Sequence, residues 1–418
     1  MDTHTHLHGT ADHAARLDKL AEVAVRVGLA LQPGQELVLT APLEAAPLVR
    51  RITHHAYTAG AKLVTALYSD DESTLSRFQS APADAFDYAP GWLYDGMAAA
   101  FRAGAARLAI GGEDPSLLSG QDPDRVARAN RARSLAYRPA LELITSFAIN
   151  WNIVCYATAA WARTVFPALP PDEGQARLWD AIFAASRVDA PDPVAAWAAH
   201  NAALHARTAA LNAKRFDALH FSGPGTDLLV GLADGHLWLG GSEPVKNGVV
   251  CNPNIPSEEV FTTPHLRRVE GTVRSTKPLS YQGTLIEDIE VRFEGGRIVH
   301  SAARTGHAVL ERVLGTDEGA PRLGEVALVP HSSPISRSGL LFCNTLFDEN
   351  AASHIALGQA YRTCLEGGTS ASEAELDERG ANSSLIHIDW MIGSGQVDVD
   401  GLARDGTREP VMRAGEWV

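Results

Sequence analysis

Apolar residues in the first half of the chain recur with two alternating periods. Leu17, Leu20, Ala21, Ala24 and Val25 share a helical face, and Gly28 follows as a stop signal. The turn Gln32-Pro33-Gly34-Gln35 leads into a short apolar run, residues 36–40, that reads as a buried strand. A helix over 43–59 with Gly60 behind it, a strand over 62–68, a helix over 90–103 and a strand over 107–110 continue the alternation. Strands separated by helices of this length need crossover connections, so the pattern predicts right-handed βαβ units around a parallel sheet. Residues 167–193 are rich in Pro, Asp and Ala, and an Ala-rich helical stretch then runs to about Lys214.

Past Phe216 the pattern changes. Residues 219–221, 227–232, 286–293 and 297–301 read as short strands between glycine-containing turns, and Glu294-Gly295-Gly296 joins the last two as a hairpin. A chain of 418 residues exceeds one core of ordinary size. The expected organisation is an α/β N-terminal domain with a parallel sheet over 1–210. An α+β domain with mainly antiparallel strands follows over 211–418 and carries the chemistry.

Composition narrows the function classes. With 36 basic against 50 acidic residues the net charge is -14, which argues against nucleic-acid and anionic-membrane partners. Four cysteines, Cys155, Cys251, Cys343 and Cys364, match no zinc-ribbon or redox spacing and read as reduced thiols. No signal-peptide core and no apolar run near the ~18 residues of a membrane span is present, so a cytoplasmic location is expected.

Four segments of the second half place carboxylates and histidines in apolar company. In HIDWMIG, residues 387–393, a strand projects His387 and Asp389 to one face and leaves Ile386, Ile388, Trp390 and Ile392 on the other. Such a pair needs a metal, a mutual hydrogen bond or an arginine to offset its desolvation. Glu325 lies in the apparent strand GEVALV, residues 324–329, and a buried glutamate also needs a partner. Glu258 and Glu259 follow Pro256 in a loop or strand end, either as a functional pair or as an exposed or capping one.

The fourth segment, residues 346–354, reads as a helix start with Asp348 or Asn350 as N-cap, the helix running from Ala351 to Gly367-Gly368. On that helix His354 and Tyr361, seven apart, lie within about 20° of one face. Glu349 and His354 then suit either a metal or dipole stabilisation beside a core histidine. Taken together, these residues suffice for two hydrolytic metals and a general base. Carboxylates with a minority of imidazoles favour zinc, manganese or cobalt over a thiolate site.

The same segments resemble the blocks of the aminopeptidase T / aminopeptidase S (PepS-like) family of thermophilic dinuclear metallo-aminopeptidases. NIPSEEVFT at 254–262, GEVALVP at 324–330, SGLLFCNTLFDEN at 338–350 and HIDWMIG at 387–393 occur in the family's order. FSGPGTDL at 221–228 also matches, and weaker likeness at 27–29, 59–61 and 161–167 extends it over nearly the whole chain. The resemblance implies an exopeptidase acting on peptides with a free N-terminus, usually as a homodimer, with two divalent metal ions. It implies Glu259, Glu325, Glu349, His354, His387 and Asp389 as ligands, Glu325 bridging, and Tyr361 hydrogen-bonded to substrate. Glu258 is the general base by analogy with other dinuclear aminopeptidases. Ser257 stands where the family has threonine, and residues 242–246 depart from its pattern, which bears on substrate preference.

Three rival readings are weighed. Asp2-Thr3-His4-Thr5-His6 mimics the DxHxH of amidohydrolase barrels but lacks the preceding strand that would place it at a barrel mouth. A dinuclear hydrolase of another amide is the second. A non-enzymatic ligand-binding α/β protein is the third, without a GxGxxG motif to support nucleotide binding.

Overall fold

The computed structural model describes residues 11–281 and 283–418, so the Asp2–His6 motif lies outside the described residues. The chain divides into two units, residues 1–199 with 242–256, and residues 200–241 with 257–418. The helix Pro193–Lys214 contains the first division.

The first unit is built on four parallel strands in the order Leu63–Ser69, Glu36–Pro42, Ala106–Gly111, Trp151–Cys155. The Glu36–Pro42 strand is buried as its apolar run predicts, with Leu37 and Leu39 fully buried. Helices Ala46–Thr58 and Gly91–Arg102 connect these strands, as the periodicity predicts. The Pro- and Ala-rich region contains a further helix, Pro171–Ala185, started by a proline at its first turn, where no N–H is needed.

Antiparallel sheets make up the second unit. Eight strands run in the order Arg297–Ala302, Glu290–Glu294, Pro264–Arg274, Thr226–Leu232, Ala218–Gly223, Asp398–Leu402, Arg408–Arg413, Glu416–Trp417. The first two form the expected hairpin, turned at Gly295 and Gly296 with φ of 56° and 76°. A Cβ on Gly296 would sit 2.0 Å from the Leu266 carbonyl oxygen, so the turn admits no side chain there.

A second sheet of four strands, in the order His387–Met391, His354–Gly358, Leu323–Leu328, Val260–Thr262, carries the candidate chemistry. Its register sorts side chains by face. Opposed pairs Val326–Ile355, Ile355–Trp390 and Leu328–Val260 enter the apolar core of the unit. The alternate positions put Ala327 beside His354 and Ala356 beside Glu325 and Asp389 on the opposite face.

One element differs from the sequence expectation. Residues 351–367 form no long helix: a short helix Thr345–Asp348 passes into a 3-10 turn, Glu349–Ala351, and then into the strand His354–Gly358. The N-cap is Asn344, whose Oδ1 accepts the Leu346 N–H, while Asp348 accepts the N–H groups of Phe342 and Asn344 at 2.7 and 3.0 Å. Strands on both sides supply the backbone partners and the burial that reward His-Ile-Ala-Leu-Gly as a strand, which outweighs the helix propensity of its Ala and Leu.

Candidate metal centre

Each candidate residue arrives on the polar face of the four-stranded sheet or at its edge. The expected alternation of HIDWM holds, with Ile388, Trp390 and Ile392 buried and His387 and Asp389 together, Nε2 to Oδ1 3.4 Å. Gly358 faces His387 in the register. It has φ of 99°, and a Cβ there would meet the Ile386 carbonyl oxygen at 2.1 Å. This close approach lets the adjacent Gln359 carbonyl accept the His387 Nδ1–H at 2.7 Å.

Glu325 stands at the centre. Its Oε1 lies 3.4 Å from His354 Nε2 and its Oε2 3.6 Å from His387 Nε2. Glu259 Oε2 reaches His354 Nε2 at 3.1 Å. Two groups result, Glu259–Glu325–His354 and Glu325–His387–Asp389, the donor atoms in each within 4.8 Å of one another. Glu325 belongs to both.

The donor set suits cations. His354 Nε2, Glu259 Oε2 and Asp389 Oδ1 are buried and make no hydrogen bond among the described residues, a costly arrangement unless a cation satisfies them. Each histidine spends its other nitrogen on a backbone carbonyl, His354 Nδ1 donating to Ala352 O at 3.1 Å and His387 Nδ1 to Gln359 O. Those bonds fix both rings with Nε2 aimed into the cluster, the usual support of a metal-ligating imidazole.

The electrostatics agree. Burial raises Glu325 to about 7 against the opposing pull of His354, and Asp389 and Glu259 push it further up. Burial and the charges of Glu259 and Asp389 hold Glu349 well above the ordinary carboxylate range. Burial disfavours the charged imidazoles, but their carboxylate neighbours win: His354 is raised well above its usual range and His387 to about 10. The cluster is short of positive charge, and protons or metals supply it.

Tyr361 lies off any helix, at the start of the 3-10 turn Arg362–Cys364, so the helical argument for its place beside His354 does not apply. The fold nevertheless brings it to the site, its ring 4.8 Å from His387 and 6.0 Å from Phe261. Desolvation, then the field of Glu325, Asp389, Glu349 and Glu259, holds its phenol well above the ordinary range. Glu258 and Glu349 join neither group of three; the buried Glu258 carboxylate lies 3.8 Å from His200 Nε2, and Glu349 Oε1 lies 3.4 Å from Asn350 Nδ2. The structure adds what the sequence reading missed: the orienting carbonyls of Ala352 and Gln359, and Phe261, which shares the polar face opposite Ala327. The only sequence signal for Phe261 was its two-residue spacing from Glu259.

Residues 13–417 match the family described as thermophilic metalloprotease (M29). The chain belongs to this family. Among M29 relatives and solved structures it is 58% identical over 402 residues to aminopeptidase T of Thermus thermophilus, covering 96% of this chain and 98% of that protein. Aminopeptidase 2 of Geobacillus stearothermophilus is 48% identical, with coverage of 96% and 97%. The structure of wild-type AmpT from Thermus thermophilus superposes with a TM-score of 0.92 at 57% identity, covering 96% of this chain and 99% of that one.

The strand 387–391 offers a direct test of the centre. His387→Ala or Asp389→Ala removes one donor from the second group only. Each variant is expected to keep one ion per chain and to lose at least about 100-fold in affinity for the other. Equilibrium dialysis with metal analysis checks this; wild-type content in both variants would remove the strand from the site.

Proposed function

We propose that this metal-dependent aminopeptidase releases N-terminal residues from peptides with two divalent ions, zinc, cobalt or manganese, held by Glu259, Glu325, Glu349, His354, His387 and Asp389. The observation that carries the reading is the pair of donor groups sharing Glu325, with three buried donor atoms that no hydrogen bond satisfies. Charge supports the number. Glu259, Glu325, Glu349 and Asp389 bring four negative charges when ionised, which two divalent cations neutralise.

When bound, such ions polarise the scissile carbonyl and lower the pKa of a water molecule toward neutrality. The chain's own residues do the rest. Glu258 takes the proton of the attacking water and delivers it to the leaving amine. Tyr361, whose ring lies 4.8 Å from that of His387, donates a phenolic hydrogen bond to the carbonyl oxygen as negative charge builds there. His354 and His387, held by the Ala352 and Gln359 carbonyls, keep the donor set rigid through the cycle.

Metal analysis of purified protein is expected to return two divalent ions per chain, with activity on aminoacyl anilides lost on chelation and restored by metal. Full activity with one ion or none would overturn the dinuclear reading. Tyr361→Phe is expected to lower kcat roughly 10- to 1000-fold with metal content unchanged. A wild-type kcat would leave Tyr361 a packing role against Phe261.

The assembly we propose is a homodimer. Leu63 and Tyr68, 48% and 46% exposed, lie on the edge strand of the parallel sheet, the kind of edge that proteins cover. Sedimentation equilibrium should give a mass of two chains; the mass of one would refute it. Four cysteines whose spacing fits no disulfide framework favour a reducing compartment, the cytoplasm. Among the described residues no helix is long and apolar enough to cross a membrane.

A further inference from the structure

Asn350 is completely buried in the 3-10 turn Glu349–Ala351, and its side-chain amide is used at both ends. Its Oδ1 accepts the backbone N–H of Glu258 at 2.6 Å. Its Nδ2 donates to the Leu346 carbonyl at 3.0 Å and toward Glu349 Oε1 at 3.4 Å. Only one orientation of the amide satisfies these partners, since an N–H can only donate and a carbonyl only accept. The residue's own carbonyl accepts the Ser333 hydroxyl at 3.1 Å, which fixes the turn from a third side.

These contacts join two parts of the site that are 92 residues apart in the chain. Glu258 precedes the ligand Glu259, and the segment that carries both meets the sheet only from Val260 onward. Before that point the backbone N–H of Glu258 is held by the buried Asn350 amide. We propose that Asn350 is a positioning residue: it acts through Glu258, holding the base at its working place against the turn that bears the ligand Glu349. The proposal rests on the general-base reading of Glu258. Without the amide, the Glu258 N–H is a buried donor with no partner and the segment must shift to find water or another acceptor. A displacement of about 1 Å at a base is enough to cost on the order of 10²-fold in rate.

A double-mutant cycle at saturating metal tests this, with active sites counted by bound metal so that only loaded enzyme is compared. Asn350→Ala is expected to lower kcat about 10- to 100-fold with little change in KM. Glu258→Gln lowers it further, and the double variant should be no slower than Glu258→Gln alone, because a misplaced base and a missing base cost the same step. If Asn350→Ala does not accumulate, Asn350→Leu keeps the volume and serves in its place. Wild-type kcat in the deletion variant, or a double variant slower by the product of the two single effects, overturns the proposal and leaves Glu258 as the base. A fully active Glu258→Gln enzyme overturns the general-base reading, and this proposal with it.

Discussion

Glu325→Ala is expected to yield a folded protein that holds neither ion and has lost kcat/KM by on the order of 10³-fold or more. Both oxygens of Glu325 are in use, Oε1 toward His354 and Oε2 toward His387, and the residue is a member of both donor groups. Substitution of Glu259, His354, His387 or Asp389 weakens one group; this one weakens both. Folding should survive, because the substitution leaves the apolar face of the sheet, Val326 with Ile355 and Leu328 with Val260, untouched, and removing one of several crowded carboxylates relieves repulsion. Circular dichroism checks the fold, and metal analysis beside kcat/KM checks the site. Two retained ions with activity within about tenfold of wild type would show that Glu325 bridges nothing.

The pair Glu258 and Glu259 should separate cleanly although the residues are adjacent. Glu259 puts Oε2 3.1 Å from His354 Nε2, whereas Glu258 stays outside both donor groups. Glu258→Gln is therefore expected to bind two ions and turn over about 10²- to 10⁴-fold more slowly, the usual cost of a lost general base. Glu259→Gln is expected to lose affinity for one ion, with activity partly restored by excess metal. Reversed phenotypes would exchange the two roles. Both variants keep side-chain volume, so thermal unfolding of the metal-free proteins should stay close to wild type.

Much of the site was legible because strand periodicity is a local property. His387 and Asp389 alternate with Ile388 and Trp390, and that alternation sets both faces of the strand before any partner is known. Glu325 was legible for a related reason, an ionisable group in an apolar run. His354 misled, since the Ala and Leu residues in its vicinity suit a helix as well as a strand. It reached the same cluster by a different route, through its register opposite Ala327 and Met391. Tyr361 likewise sits beside His387 because of the turn after that strand, not because of helical spacing.

The sequence by itself determined the alternation of helices and parallel strands in the first unit, the antiparallel character of the second, and the residue types of a carboxylate-rich candidate metal centre. These follow from period, turn chemistry and the cost of burying charge, all of which act over a few neighbouring residues. Only the tertiary structure decided which residues meet. Strand order placed Glu325 between His354 and His387, Gly358 brought the Gln359 carbonyl to the His387 ring, and Asn350 joined Glu258 to the turn of Glu349. Pairings of that kind depend on register between segments tens of residues apart. Register is fixed by what the opposite face buries, and that is a property of the assembled sheet rather than of any one strand.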